Sequence, residues 1–305
     1  MRSVSVVVPT YNCGSRLGRA LRSIEAQTYP ADRIEILVVD DGSTDDTADV
    51  VHEFAAQARV ETRYFRQENA GPAAARNRGL NFACGDTIAF LDADDWWEPE
   101  KLARQVPLLD DAVAFVYCDC AFVDAEGRPL ADYVRRVELV SGDILLALFC
   151  DFFILTSSAV LARAAINETG MFDEKLGVGE DYEFFLRLAR RYHAGCVAEK
   201  LLVRCVRPDS LSRRDYALDA RVDLATLENF LRDNPEFARN HRRVARRRIA
   251  RYRYDFAYRL LADNRRREAI VELLRSLRTE LSVGAARTLT RALFPALTVS
   301  SAVPR

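Results

Sequence analysis

Apolar residues in the first half of the chain alternate between two periods. A β-branched-rich run at Val4–Val8 predicts a strand covered on both faces. Leu17, Ala20, Leu21 and Ile24 then recur at helical spacing, with Ser15 available as a cap. Ile34–Val39 predicts a second buried strand, ending at Asp40-Asp41-Gly42, and Ser43 with Asp46 three positions on forms a weak capping box. Ala48, Val51, Phe54, Ala55 and Ala58 give the next helix its apolar stripe. A third strand is expected near Glu61–Phe65, a helix near Pro72–Ala83 and a fourth strand at Thr87–Leu91. Further on, Val113–Val123 reads as a strand, Val140–Leu161 fits either helix or strand, and Gly170–Asp173 is a turn. A helix opens near Glu180 with Phe184, Phe185 and Leu188 on one face, and Tyr216–Leu281 is helical and rich in arginine.

Strands alternating with helices at this length predict an α/β fold, a mostly parallel sheet flanked by helices. Ligands of such sheets bind beyond the carboxyl ends of the strands. Pro9–Asn12, Asp40–Asp45 and Asp92–Asp95 all begin where a predicted strand ends, so three distant segments should meet at one edge. In the last of them Asp92, Asp94 and Asp95 repel one another unless a cation sits among them. Oxygen-only ligands suit Mg²⁺ or Mn²⁺, which typically arrives with a phosphate-bearing substrate. A solvated acidic loop is the plain alternative; the convergence of the other two loops argues against it.

Length and composition narrow the field. The 305 residues suffice for one large domain and an appendage, and 49% hydrophobic with 29% charged residues excludes a disordered chain. A net charge of −1 points to no nucleic-acid partner. It hides an asymmetry. Between Arg239 and Arg278, 14 arginines outweigh four acidic residues, so the remainder of the chain is near −11. The 7 cysteines show no zinc spacing and read as reduced thiols of a cytoplasmic protein. The apolar run at Val4–Val8 is too short for a leader, and no segment approaches the roughly 20 apolar residues of a membrane span. Membrane contact, if the basic region makes it, is peripheral and at the inner face.

Ser3–Asn12 (SVSVVVPTYN), Val38–Asp46 (VVDDGSTDD), Glu68–Leu80 (ENAGPAAARNRGL), Phe90–Asp95 (FLDADD) and Gly179–Leu188 (GEDYEFFLRL) are five motifs in one order. Together they resemble the inverting glycosyltransferases of family 2, over roughly residues 3 to 212. The resemblance implies a GT-A (Rossmann-like) fold, a nucleotide-diphosphate sugar donor (a UDP-sugar first) and a saccharide or lipid-linked acceptor. Pro9, Thr10, Tyr11 and Asn12 would line the nucleotide pocket, with Tyr11 offering a ring face. Asp41 would accept the imide N–H of a uracil or thymine; its alternative is an Asx turn, which for Asp40 is the preferred reading. Arg76 has the planar fork for a base carbonyl or diphosphate, whereas Arg78 fits a surface salt bridge.

By the same resemblance Asp92 faces ribose or metal and Asp94 ligates the Mn²⁺ or Mg²⁺ that neutralises the departing diphosphate. Asp181 is the implied general base, and Glu180 binds acceptor hydroxyls or the metal's surroundings. Read alone, both carboxylates simply complement a helix N-terminus. Trp96 and Trp97 fit a sugar wall and core packing equally. One position departs from the family: Arg207 stands where many relatives carry a histidine before Pro-x-Ser-Leu-Ser. An arginine cannot ligate a cation but can pair with phosphate.

The expected organisation is a GT-A domain over 1–212, an Arg-rich α-helical extension over 213–281 and a tail over 282–305. Within the extension Ala257, Leu260 and Leu261 should pack against Ala269, Leu273 and Leu274 in a helical hairpin. Its clusters Arg246–Arg248 and Arg265–Arg267 suit anionic lipid as well as a solvated face. The rival reading is a catalytically silent nucleotide-sugar fold whose basic region binds a partner or an anionic membrane. A nucleotidyltransferase would want a Gly-rich, basic phosphate loop, and Pro9–Gly14 lacks one.

Overall fold

The first strand, β1 (Val4–Thr10), is buried on both faces, as its β-branched run requires. Val4, Val6 and Val8 pack with Leu17, Leu21 and Ile24 of α1 (Gly14–Glu25). On the opposite face Val7 meets α3 (Pro72–Phe82) at Gly79, where an added Cβ would sit 2.3 Å from Val7 Cγ1. That glycine lets helix and strand backbones approach. A computed structural model describes residues 2–130, 138–206 and 216–293, with backbone alone for 216–219.

Parallel pairing of β1 with β2 (Ile34–Asp40) and β4 (Thr87–Phe90), and of β2 with β3 (Glu61–Arg66), builds the first half of the sheet. Helix α2 (Thr47–Gln57) connects β2 to β3. The register sets Thr10, Asp40 and Arg66 side by side, so the carboxyl ends of three strands form one edge.

Beyond β4 the sheet is mixed. Its further strands are β5 (Trp96–Trp97), β6 (Val113–Val123), β7 (Val160–Ala162) and β8 (His193–Cys205). Strand β7 runs antiparallel to both β4 and β6, while β6 and β8 are parallel. The order is β3-β2-β1-β4-β7-β6-β8-β5, and four of the seven strand pairings are parallel. Helices α4 (Lys101–Gln105), α5 (Leu145–Cys150), α6 (Arg163–Thr169) and α7 (Glu180–Ala189) complete this part. The ambiguous 140–161 stretch resolves into both alternatives, with α5 preceding β7.

Two capping expectations fail for one reason: Asp45, in the loop after β2, serves the starts of both α1 and α2. Ser15 does not cap α1; the Gly14 amide instead donates to Asp45 Oδ2 (3.1 Å). Nor do Ser43 and Asp46 form a box, because Asp45 Oδ1 accepts the Thr47 amide at the start of α2.

The chain divides into two compact units, Met1–Pro208 and Asp209–Arg305. The second contains α8 (Tyr216–Asp233), α9 (Pro235–Asn240), α10 (Arg242–Ala262), α11 (Arg266–Thr279) and α12 (Val283–Leu293). Ala257, Leu260, Ala269 and Leu273 are buried in the α10–α11 hairpin as expected, but Leu274 is 45% exposed. It follows Leu273 by one position and is turned off the seam by the 100° helical step. Helix α12 lies inside the stretch read as tail and buries Ala285 and Ala292 against the hairpin. The cysteines form no disulfide among the described residues.

One buried charge is conspicuous. Lys101 is fully buried at the start of α4, its Nζ 4.2 Å from the Trp97 ring centroid and without a hydrogen-bond partner among the described residues. Burial lowers its pKa to about 8. The unfolded chain therefore binds the extra proton between pH 8 and the ordinary lysine value of 10.5. Below pH 8 the cost of the buried charge, about 3 kcal/mol, is fully present, and it fades as pH rises toward 10.5. Lys101→Met is expected to raise stability at pH 7, with the gain shrinking at pH 10. Denaturant midpoints of both proteins at the two pH values check this; a pH-independent gap would contradict it.

Candidate active site

The loop after β1 is locked to the loop after β2. Asn12 adopts a left-handed backbone (φ 49°), and its Oδ1 accepts the Thr44 amide (2.8 Å) while its own amide donates to Ser43 Oγ (2.9 Å). Asp40 Oδ1 accepts the Ser43 amide (2.7 Å) and Oδ2 accepts the Tyr64 hydroxyl, so Asp40 builds the turn, as preferred from sequence. Asp41 does something different. Its Oδ1 accepts from Gln67 Nε2 and the Ala70 amide and its Oδ2 from the Gly71 amide, each at 2.8 Å. It thus holds the segment leading into α3 against the sheet edge. Of about four acceptor positions on a carboxylate, three are used and one remains. Nearby, Thr10 Oγ1 is buried without a partner among the described residues, and Tyr11 is 51% exposed.

Arg76 on α3 joins the acidic segments. It is buried, donates from Nη2 to Asp92 Oδ1 (2.9 Å) and from Nη1 to Glu180 Oε1 (2.7 Å), and its guanidinium carbon lies 5.5 Å from the Phe172 ring centroid. Burial alone would weaken its hold on the proton, yet Asp92, Glu180 and Asp181 outweigh that and raise its pKa. Segments 92, 180 and 76 are thereby one electrostatic unit. Next to Arg76, Asn77 staples α3 to the 172–174 turn through the Phe172 carbonyl and amide and Glu174. Arg78 makes no salt bridge among the described residues, and its Nε is buried.

Gly179, left-handed at φ 71°, turns the chain into α7 so that Glu180, Asp181 and Glu183 occupy the first helical turn. There the helix dipole favours carboxylates. Glu180 is buried against Arg76, whereas Asp181 is half-buried and its Oδ1 accepts the Tyr182 amide (2.8 Å).

The 92–95 loop is anchored from below. The Asp92 amide donates to Ser157 Oγ (3.0 Å), and Asp95 is buried and hydrogen-bonded to Ser157. Burial, then the charges of Asp92 and Asp94, push the Asp95 carboxyl well above the usual range. Arg204 of β8 opposes this field: burial disfavours its charge, but Asp95, Asp92 and Asp94 raise its pKa overall. Cys120 is pushed up to about 12 by burial and by Asp95, so it stays a thiol. Trp97 is core, with Nε1 donating to the Ser157 carbonyl (2.8 Å), while Trp96 is half-buried beneath the Arg19 guanidinium (4.2 Å). Arg204 was not singled out from sequence, although a lone charge in the apolar run Leu201–Cys205 was the available signal. Arg207 lies outside the described residues.

The donor set fits a hard divalent cation. Asp92 and Asp94 offer oxygen only, and their charges add to burial in pushing a third carboxyl, Asp95, well above the usual range. No cluster of three His, Cys, Asp or Glu ligands occurs among the described residues. Such a site relies on one or two carboxylates, with water and substrate phosphate completing the shell.

The family described as Glycosyl transferase family 2 matches residues 5–165. An uncharacterized glycosyltransferase of Rickettsia felis is 30% identical over 204 residues, 65% of this chain and 32% of its own length. The putative teichuronic acid biosynthesis glycosyltransferase TuaG of Bacillus subtilis is 33% identical over 142 residues, 46% of this chain and 55% of its own. The chain spans about a third of the length of the curated relatives it matches first. Residues 1–349 of S. aureus TarS, solved with UDP, superpose with a TM-score of 0.65 at 20% identity, over 95% of this chain and 87% of that one. The mannosyltransferase PcManGT of Pyrobaculum calidifontis, solved with GDP-Man and Mn²⁺, gives a TM-score of 0.64 at 24% identity, over 98% and 81%. The sheet order, the acidic edge and these likenesses define a GT-A-like fold. The chain belongs to glycosyl transferase family 2.

Removing the central cation should be costly. Arg76→Ala is expected to destabilise the protein by about 3–5 kcal/mol, because Asp92 and Glu180 lose a buried counter-ion. In a double-mutant cycle with Glu180→Gln, a coupling above about 1 kcal/mol is expected from denaturant titrations. Additive losses would contradict the bridge.

Proposed function

We propose that this protein transfers a sugar from a nucleotide diphosphate, a UDP-sugar first, to a saccharide or lipid-linked acceptor with inversion at the anomeric carbon. The carrying observation is Arg76, which ties the DxD-type loop at Asp92 to the acidic start of α7. Donor and acceptor machinery thereby share one edge of the sheet.

In this reading Pro9, Thr10, Tyr11 and Asn12 line the base pocket, and Asp41 uses its remaining acceptor position for an imide N–H. Asp92 and Asp94 would hold Mn²⁺ or Mg²⁺, which supplies charge neutralisation of the leaving diphosphate when bound. The Mn²⁺ in the PcManGT structure and the UDP in that of TarS support these assignments. Arg76 keeps Asp92 and Glu180 in place, and these two bonds use two of its five N–H donors, leaving others for the diphosphate. Arg207 pairs with phosphate directly.

Asp181 acts as general base. An acceptor hydroxyl attacks the anomeric carbon, the bond from that carbon to the diphosphate oxygen breaks, and the hydroxyl proton passes to the Asp181 carboxylate. Its half-exposure at the helix start suits proton exchange with solvent afterwards, whereas buried Glu180 is held by Arg76 and orients the acceptor. The cysteine spacing suits a reducing compartment, hence the cytoplasm.

The test is transfer measured with a panel of UDP-, dTDP- and GDP-sugars and Mn²⁺. Asp181→Asn is expected to lower kcat by about 10²–10⁴ with little change in donor KM. Asp94→Ala is expected to raise the Mn²⁺ concentration needed for half-maximal donor binding. Absence of turnover with every donor, or an Asp181→Asn protein as active as wild type, would overturn the assignment in favour of a silent binding fold.

A further inference from the structure

We propose that one corner of the helical unit, where α10 begins and α11 gives way to α12, docks on an anionic lipid bilayer. Two polypeptide segments meet there. Arg246 at the start of α10 donates from Nε (3.0 Å) and Nη2 (2.6 Å) to the Thr279 carbonyl at the end of α11. One turn further in, Ser276 Oγ donates to the Ala250 carbonyl (2.7 Å), so the antiparallel hairpin fixes this juxtaposition.

The corner combines two features seldom exposed together. Leu281 is 87% and Val283 69% exposed, the two most exposed large apolar residues among those described. They flank Ser282 where the connection enters α12, Val283 being its first residue, and can enter a membrane interface from the helix end. Around them the exposed arginines Arg242, Arg243, Arg246 and Arg247 come from the first turns of α10, and Arg278 from the last turn of α11. Across residues 239–251 and 276–285 Glu280 is the one acidic residue, and it is only partly exposed. Basic side chains supply attraction to anionic headgroups within a Debye length, and aliphatic ones supply insertion. Neither signal alone gives stable attachment, but two together do. No helix among the described residues is long and apolar enough to cross a membrane, so attachment here is peripheral. An RNA surface would use the arginines but leave Leu281 and Val283 without a role.

The inference stands apart from the sugar-transfer reading, and its experiment uses the full chain. Sedimentation with vesicles of phosphatidylcholine plus roughly one-third phosphatidylglycerol is compared with pure phosphatidylcholine. Binding at least about tenfold tighter to the anionic vesicles, weakened by salt, is expected. Leu281→Asp/Val283→Asp and, separately, Arg242→Glu/Arg243→Glu/Arg247→Glu should each reduce it about tenfold or more, with unchanged Tm and unchanged donor binding. Equal binding to neutral vesicles, or no binding, would overturn the proposal. So would retention of binding in the Leu281/Val283 variant, or equally tight binding to single-stranded RNA that ignores that variant; either marks a general polyanion surface. Failure here with donor binding intact leaves the enzymatic assignment standing.

Discussion

A single buried guanidinium holds the candidate active site together. Without Arg76, α3, the 92–95 loop and the start of α7 would bring carboxylates together in a poorly solvated place with nothing between them. Like charges at such distances repel strongly where water is scarce, and burial of an unpaired carboxylate costs several kcal/mol more. Arg76 converts that liability into a fixed arrangement: one nitrogen for Asp92, one for Glu180 and a ring of Phe172 beneath. The rest of the edge follows. Asp41 fixes the entry to α3, Asn77 its contact with the 172–174 turn, and Gly179 the entry to α7.

The compensation is partial, and that is chemically useful. Arg76 answers Glu180 and one oxygen of Asp92, and Arg204 answers the base of the loop, yet burial and the remaining charges of Asp92 and Asp94 still push the Asp95 carboxyl up. A site fully neutralised by its own arginines would have little affinity for a divalent cation. A site left slightly negative would favour one. Stability and function draw on the same charges in opposite directions, as preorganised sites generally do.

Much of this was legible from sequence because it is carried by local patterns. Strands at Val4, Ile34, Thr87 and Val113 declare themselves through β-branched runs, and the three loops at their ends follow from parallel topology. What was not legible depends on partners distant in sequence. Arg76 reads as a ligand-binding fork, and its hold on Glu180, 104 residues away, shows only in the fold. Arg204 sits in an apolar run and acquires meaning only from the carboxylates it faces. The capping expectations at Ser15 and Ser43 failed because Asp45 serves both helix starts, and Leu274 because the hairpin seam is narrower than the apolar stripe. Trp97 resolves as packing through its bond to the Ser157 carbonyl, a contact no spacing rule could supply.

The most direct test is a crystal structure of the protein with a non-hydrolysable UDP-sugar and Mn²⁺, using the anomalous signal of manganese to locate the ion. The account predicts the peak on the Asp94 carboxylate beside the donor diphosphate, with Arg76 still joining Asp92 to Glu180 and Asp181 facing the sugar from the side away from the leaving group. A peak elsewhere, or a donor bound away from the 92–95 loop while Arg76 keeps both its partners, would contradict it.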